Sequence, residues 1–261
     1  MVNARAGAVI SNFIETWWLL AGASGGERHH EQGIRWIAAG DHMILNAVLE
    51  TRLEPRSGAA ILTKTAKQLS ERSDSAVWWV MPDSRPADLA DRLRSIGFVD
   101  WGTGWPAMAV ELAELVEPPA VHGVELARVR DETAFDEYLA VFDPVLSPGP
   151  AFTQAMSRAG RSIGFGEDAA MAHYVAREHG EAVGCASLMV GGGAAGLYNV
   201  ATVEAARRRG IGAWVSAAAL REGLGRGFEL GALQASPLGY KVYEQLGFRE
   251  VCTLQPFRLD S

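Results

Sequence analysis

The stretch Arg207-Arg208-Arg209-Gly210-Ile211-Gly212-Ala213 combines residue types and spacing that could do chemistry, and it lies between a strand-like and a helix-like run. Glycine at 210 and 212 leaves the backbone bare where a ligand must come close. Backbone N–H groups at a helix start converge on one locus, and the helix dipole there favours an anion. Such a loop suits a pyrophosphate, with the arginines adding charge. The same pattern also serves as a plain strand-to-helix turn, so the surrounding elements must decide between the two.

The chain has 261 residues, 48% of them hydrophobic and 21% charged, which fits a folded globular protein of one large or two small domains. The paired prolines of Glu117-Pro118-Pro119-Ala120 cannot continue a helix and divide the chain into 1–118 and 119–261. Seven of the eight tryptophans precede residue 106. They are expected to pack a core, with Trp17-Trp18 and Trp78-Trp79 alternatively lining an apolar wall. Ala107 to Val116 reads as helical. The second half alternates between the two periods. Strands are expected at 124–129, 172–177, 182–190, 196–203, 230–235 and 248–256, with helices at 132–142, 152–159, 211–224 and 240–246. The fold class is therefore mixed α+β.

Three segments, read in order, resolve the ambiguity of the glycine loop. Leu197-Tyr198-Asn199-Val200-Ala201-Thr202-Val203, then Arg207-x-x-Gly210-x-Gly212, then Tyr243-Glu244-Gln245-Leu246-Gly247-Phe248 resemble the core of the GNAT superfamily of acyl-CoA-dependent acyltransferases. The resemblance covers roughly 124 to 257. It implies that amides from Arg208 to Ala213, next to the signature Arg207, cradle the CoA pyrophosphate through Arg208, Arg209, Gly210, Ile211, Gly212 and Ala213. It implies that backbone groups of Val200, Ala201 and Thr202 pair with pantetheine, which requires this strand to splay from 230–235. Tyr243 would protonate or hydrogen-bond the departing thiolate. Ser236 stands where many relatives carry Asn, and could bond pantetheine or the following backbone. No carboxylate base can be assigned: Glu229 and Glu204 fall at a strand end and in a loop.

The first half echoes the second. Ile44-Leu45-Asn46-Ala47-Val48 parallels 197–201, and Trp78 to Pro82, a helix through Leu89 and Leu93, and Ile96-Gly97-Phe98 parallel the tyrosine segment. Leu93 replaces the tyrosine, and Glu54-Pro55-Arg56-Ser57-Gly58 lacks a second glycine. The expectation is two GNAT-like domains, each a mixed, mostly antiparallel sheet flanked by helices. Residues 1–118 would be a degenerate copy without a CoA site, shaping the acceptor pocket or covering its neighbour, and 119–261 the catalytic domain.

The resemblance implies transfer of acetyl, or another short acyl group, from acetyl-CoA to an amine of a small-molecule acceptor by direct attack, without a metal. A non-catalytic acyl-CoA-binding or regulatory module, or a related reaction such as malonyl-CoA decarboxylation, would use the same motifs. Tyr243 favours the enzyme, since a pure binder needs no thiolate acid. With 24 basic and 31 acidic residues, the net charge of -7 argues against nucleic acid or an anionic membrane as partner. Cys185 and Cys252 make no disulfide framework, and His29-His30 reads as a solvated loop. Ala8 to Ala23 is interrupted by Asn12, Glu15 and Thr16 and reads as an amphipathic helix rather than a signal or membrane segment. A cytoplasmic monomer or homodimer is expected. Gly22-Ala23-Ser24-Gly25-Gly26 and Gly102-Thr103-Gly104-Trp105-Pro106-Ala107 fit hydrolase and dinucleotide patterns but lack the strand-to-helix setting each needs.

Overall fold

The first helix, α1 (Ala4–Ala23), starts where the Asn3 side chain accepts a hydrogen bond from the Ala6 amide. In the computed structural model, which describes residues 2–54, 58–146 and 149–260, it is followed by β1 (Glu27–Glu31), β2 (Ile34–Ala38) and β3 (Asn46–Thr51). Next come α2 (Gly58–Ser70), β4 (Ser75–Val80), α3 (Leu89–Ser95), β5 (Val99–Asp100) and β6 (Trp105–Glu111). The second half contributes β7 (Val124–Arg128), α4 (Glu132–Leu146), α5 (Pro150–Ile163), β8 (Met171–Glu178), β9 (Glu181–Gly191) and β10 (Ala194–Thr202). It closes with α6 (Ile211–Gly225), β11 (Leu230–Gln234), α7 (Tyr240–Gln245) and β12 (Arg249–Asp260).

All these strands join one sheet in the order β1-β2-β3-β4-β12-β6-β11-β10-β9-β8-β7, with β5 against β12. Two neighbouring pairs are parallel, β3 with β4 and β10 with β11, and the rest are antiparallel. The fold is thus mixed α/β, and its two halves repeat the same antiparallel, antiparallel, parallel run of strands. The halves also trade strands. β6, from the first half, lies between β11 and β12 of the second. β12 pairs with β6 as far as Leu254 and with β4 from Gln255 onward. One long strand therefore welds the two sheets.

The helix-like reading of 107–116 is corrected here: β6 occupies 105–111 and a single 3-10 turn follows at Leu112–Glu114. Ala107, Met108, Ala109 and Val110 are all buried because β6 is central, covered on both faces. A strand buried on both faces reads as a continuous apolar run, which periodicity cannot tell from a helix. His29 and His30 are likewise in strand β1, not in a loop. The His29 ring stacks on Trp36 at 3.8 Å and pairs with Glu27.

One face of the sheet carries α1, α4 and α5, whose apolar residues form a single cluster with strands of both halves. The opposite face is covered by α6 in the second half and by α2 and α3 in the first. Trp17, Trp78 and Trp79 are buried, with Trp79 edge-on to Phe13 at 4.9 Å and to Trp105 at 5.0 Å, so these tryptophans pack the core. No helix among the described residues is long and apolar enough to cross a membrane.

Helix α1 is tied to the second half by one polar residue. Asn12, fully buried, donates its amide to the carbonyls of Met189 and Gly191 at 3.0 Å and of Ala194 at 3.2 Å. Its Oδ1 accepts the Tyr198 hydroxyl at 2.8 Å. Asn12→Ala leaves those buried groups unpaired, and a loss of about 3 kcal/mol is expected. Urea denaturation measures it, with the exposed Ser11→Ala as a control that changes little.

Candidate functional site

The site begins with a failure of two strands to stay together. β10 and β11 pair only at Ala195 with Gly231 and Gly196 with Ala232. β11 runs on, held on its other side by β6, while β10 follows β9 through a register shift between Tyr198 and Ala201. Asn199 sits in that irregularity at φ 53°, a left-handed conformation that asparagine tolerates better than most residues. A bulge of this kind bends a strand and re-aims it. The β11-facing backbone of 197–202 is left without a partner strand among the described residues, and the required splay from 230–235 is present.

The open edge leads to the glycine loop. A short turn at Glu204–Ala206 brings the chain to Arg207, whose Nε donates to the Thr202 carbonyl at 3.1 Å. Arg208 (φ 62°) and Gly210 (φ 86°) are both left-handed, and α6 starts at Ile211 with no side chain capping it. The first helical amides therefore face outward unpaired, the arrangement that holds anions. Ile211 is buried and nails the helix start to the sheet: a Cβ on Gly184 would lie 2.7 Å from its Cγ2. Arg209 spends its charge on Glu178, at 2.5 and 2.8 Å, whereas Arg208 is exposed and makes no ion pair among the described residues.

The two glycines differ in what they require. Gly210 needs its positive φ. Gly212 has an ordinary φ, and a Cβ there would come no nearer than 3.5 Å to Thr202. The protein's own packing does not demand glycine at 212, and the space beside it is open.

Tyr243 lies on α7, edge-on to Phe248 at 6.0 Å and tight over Gly239, where a Cβ would meet its ring at 2.8 Å. Val200, Ala213 and Tyr243 all pack against the same apolar cluster on the α6 face of the sheet. The Tyr243 hydroxyl makes no hydrogen bond among the described residues, and burial pushes its pKa up to about 12. It is a phenol held protonated. The Ser236 hydroxyl accepts from the Gly239 amide at 3.2 Å, so it shapes the turn into α7. Glu204 and Glu229 are exposed. Among the described residues no group of His, Cys, Asp or Glu is placed to hold a metal ion.

Residues 169–250 match the acetyltransferase (GNAT) domain family. The chain also superposes on a GCN5-related N-acetyltransferase from Kribbella flavida, with a TM-score of 0.72 and 18% identity over 95% of this chain and 96% of that one. The fold is the GNAT acetyltransferase fold. A tandem GNAT protein from the clavulanic acid biosynthesis pathway is similar over 87% of this chain and 78% of its own, at 14% identity and a TM-score of 0.62. A GCN5-related N-acetyltransferase from Sphaerobacter thermophilus is similar over 100% and 97%, at 13% identity and a TM-score of 0.61. No curated protein matches the sequence. What the GNAT motifs did not signal is Glu250 on β12, which lines a cavity with Gln234, Tyr240 and two tryptophans. These residues are brought together by strand exchange and carry no fixed spacing.

All five tyrosines, Tyr138, Tyr174, Tyr198, Tyr240 and Tyr243, have pKa values raised above 10.0, chiefly by burial. The unfolded chain sheds these protons near pH 10 and the folded chain only later, so stability falls as pH climbs from about 10 to about 12. Absorbance at 295 nm should show few phenolates in the native protein at pH 10 and a common transition near that pH in urea.

Proposed function

We propose that this chain is an acyltransferase that moves an acetyl or other short acyl group from CoA to the amine of a small molecule. Residues 119–261, with β6 added, hold the site, and residues 1–118 are a degenerate copy. The observation that carries this reading is the slot that opens between β10 and β11 and ends at the uncapped start of α6. A slot bordered by unpaired backbone and closed by free amides has the shape of an extended arm ending in phosphates.

The residues present fit acetyl-CoA. The amides from Arg208 to Ala213 would hold its pyrophosphate, with Arg208 the arginine free to add charge. Backbone groups of Val200, Ala201 and Thr202 would hold the pantetheine in place of the missing strand pairing. When bound, acetyl-CoA supplies an activated thioester carbonyl. Amides on the splayed strand then offer hydrogen bonds to charge that develops on the thioester oxygen. Tyr243, protonated and unpartnered, donates its proton to sulfur as the C–S bond breaks. The attacking amine is used in its neutral form and loses its extra proton to water, so no carboxylate base is needed.

The first half supports a single site per chain. β3 and β4 also pair at only two positions, Ala47 with Val77 and Val48 with Trp78. There the chain itself closes the gap. The Arg85 amide donates to the Thr51 carbonyl at 2.9 Å, and the Leu53 amide donates to the Arg85 carbonyl at 3.1 Å. Arg85 thus takes the position that pantetheine would take in the second half. Leu93, fully buried, stands where the second half has its tyrosine. Pro55, Arg56 and Ser57, in the segment expected to lack a second glycine, lie outside the described residues.

Calorimetric titration with acetyl-CoA should give one site per chain. Gly212→Glu should keep the thermal midpoint and abolish binding, because the added side chain enters only the ligand's space. Tyr243→Phe should bind acetyl-CoA as before and lower kcat about 100-fold. Binding without any acceptor-dependent thiol release would assign the chain to a CoA-binding module instead.

A further inference from the structure

Next to the slot lies a cavity of about 760 Å³ whose walls come from both halves. Trp101 reaches it from the loop before β6, Trp105 from the first residue of β6, Gln234 from the end of β11, Tyr240 and Lys241 from α7, and Glu250 from β12. The tryptophan wall is fixed. Trp105 is edge-on to buried Trp79 at 5.0 Å, Trp101 leans on Trp105 at 6.1 Å, and the Trp101 amide donates to the Pro256 carbonyl at 3.0 Å. Gly104 lies so close to β12 that a Cβ would sit 2.5 Å from the Thr253 methyl.

Three polar groups in this cavity keep charge or hydrogen-bonding capacity that the chain leaves unused. Gln234 Nε2 is buried against the Tyr198 hydroxyl, which itself donates to Asn12, and of its two N–H groups at least one has no acceptor among the described residues. Lys241 makes no ion pair among the described residues. Glu250 accepts from the neutral hydroxyls of Thr253, at 3.0 Å, and Tyr240, at 3.4 Å, and makes no ion pair among the described residues. An orphaned buried donor costs stability until an acceptor arrives. Because Gln234 belongs to the part of β11 beyond the last β10 pair and adjoins Tyr198 of β10, it links the cavity to the slot.

We infer that this cavity is the acceptor site and that it takes an α-amino acid with an aromatic or large apolar side chain, a reading that rests on the acyl-transfer function proposed above. Lys241 and Gln234 Nε2 meet the carboxylate, Glu250 meets the ammonium, and Trp101, Trp105 and Tyr240 enclose the side chain. A polyamine or aminoglycoside would set its extra positive charges against Lys241. In the reaction the amino nitrogen, once neutral, forms the C–N bond as the C–S bond breaks. The nitrogen's proton goes to water, the Tyr243 proton goes to sulfur, and water returns a proton to the Tyr243 phenolate, giving an N-acylated amino acid and CoA.

The test titrates L-phenylalanine, L-tryptophan and L-leucine into the full chain by calorimetry, with phenethylamine and 3-phenylpropionate as the analogues lacking one charge. Acetyl-CoA binding and thiol release are measured separately. Wild type should bind at least one of these amino acids, and prefer phenylalanine to either analogue about tenfold. Lys241→Met should erase the preference over phenethylamine, and Glu250→Gln the preference over 3-phenylpropionate. Both side chains are exposed, so the fold persists in each variant. Acetyl-CoA binding with no amino acid bound, or with phenethylamine preferred, overturns the assignment. Amino acid binding of the expected selectivity without acetyl-CoA binding supports the cavity's ligand class and overturns the acyl-transfer reading.

Discussion

The parallel ladder between β10 and β11 stops after two residue pairs, and what the site can do depends on its stopping there. Unpaired backbone N–H and C=O groups in a sheet interior are costly unless something else bonds them. The strands can part without collapse because each has a second partner: β9 holds β10 and β6 holds β11. The left-handed Asn199 turns β10 outward, and the Tyr198 hydroxyl, bonded to Asn12, anchors it at the point of departure. The first half meets the same problem between β3 and β4 and solves it with Arg85 of its own chain. One half seals its open edge with its own chain and the other leaves it open.

Beneath the bulge lies a polar group of residues that hold the strands rather than react. The Ser187 hydroxyl bonds the Tyr138 hydroxyl at 2.8 Å and the His173 Nδ1 at 2.9 Å, which links α4 to β8 and β9 inside the core. Burial lowers the His173 pKa to about 3, with the Arg128 charge adding to the effect, so the imidazole stays neutral. Burial likewise pushes the Cys185 thiol up to about 12, and at 3.6 Å it donates to the Asn199 carbonyl in the bulge. A thiol kept protonated is a poor nucleophile. A serine, histidine and cysteine side by side would suggest covalent catalysis, but their burial makes them a scaffold for β10.

The sequence displayed those parts of the site whose function lies in local backbone shape. Gly210 and Gly212 announce a bare helix start, and the Tyr243 to Phe248 spacing announces the helix and strand that flank the slot. The strands expected at 172–177 and 182–190 form the β8–β9 hairpin, which turns at His179-Gly180, both at positive φ. Legibility ended where contacts depend on strands far apart in the chain. β6 looked helical because its four consecutive apolar residues are covered on both faces, Ala107 and Ala109 in the cluster with α1 and Met108 and Val110 in the cluster with α6, which lies about a hundred residues later. Glu250 and Gln234 are ordinary polar residues on strands until β6 brings the Trp101 and Trp105 loop against them.

Strand exchange gives the first half a physical role independent of any ligand. Without β6, β11 and β12 would each lose a neighbour, and β11 would become an exposed edge on both sides of its splayed end. Exposed edges invite wrong pairings, and a β11 free to move could close onto β10 and erase the slot. α1 adds a second brace, since Asn12 bonds both β9 and β10 near the point where the slot opens. The first half is therefore part of the frame that keeps two strands apart, and its sealed gap stiffens that frame. Its tryptophan loop then becomes a wall of the adjoining cavity as a direct result of where β6 must lie.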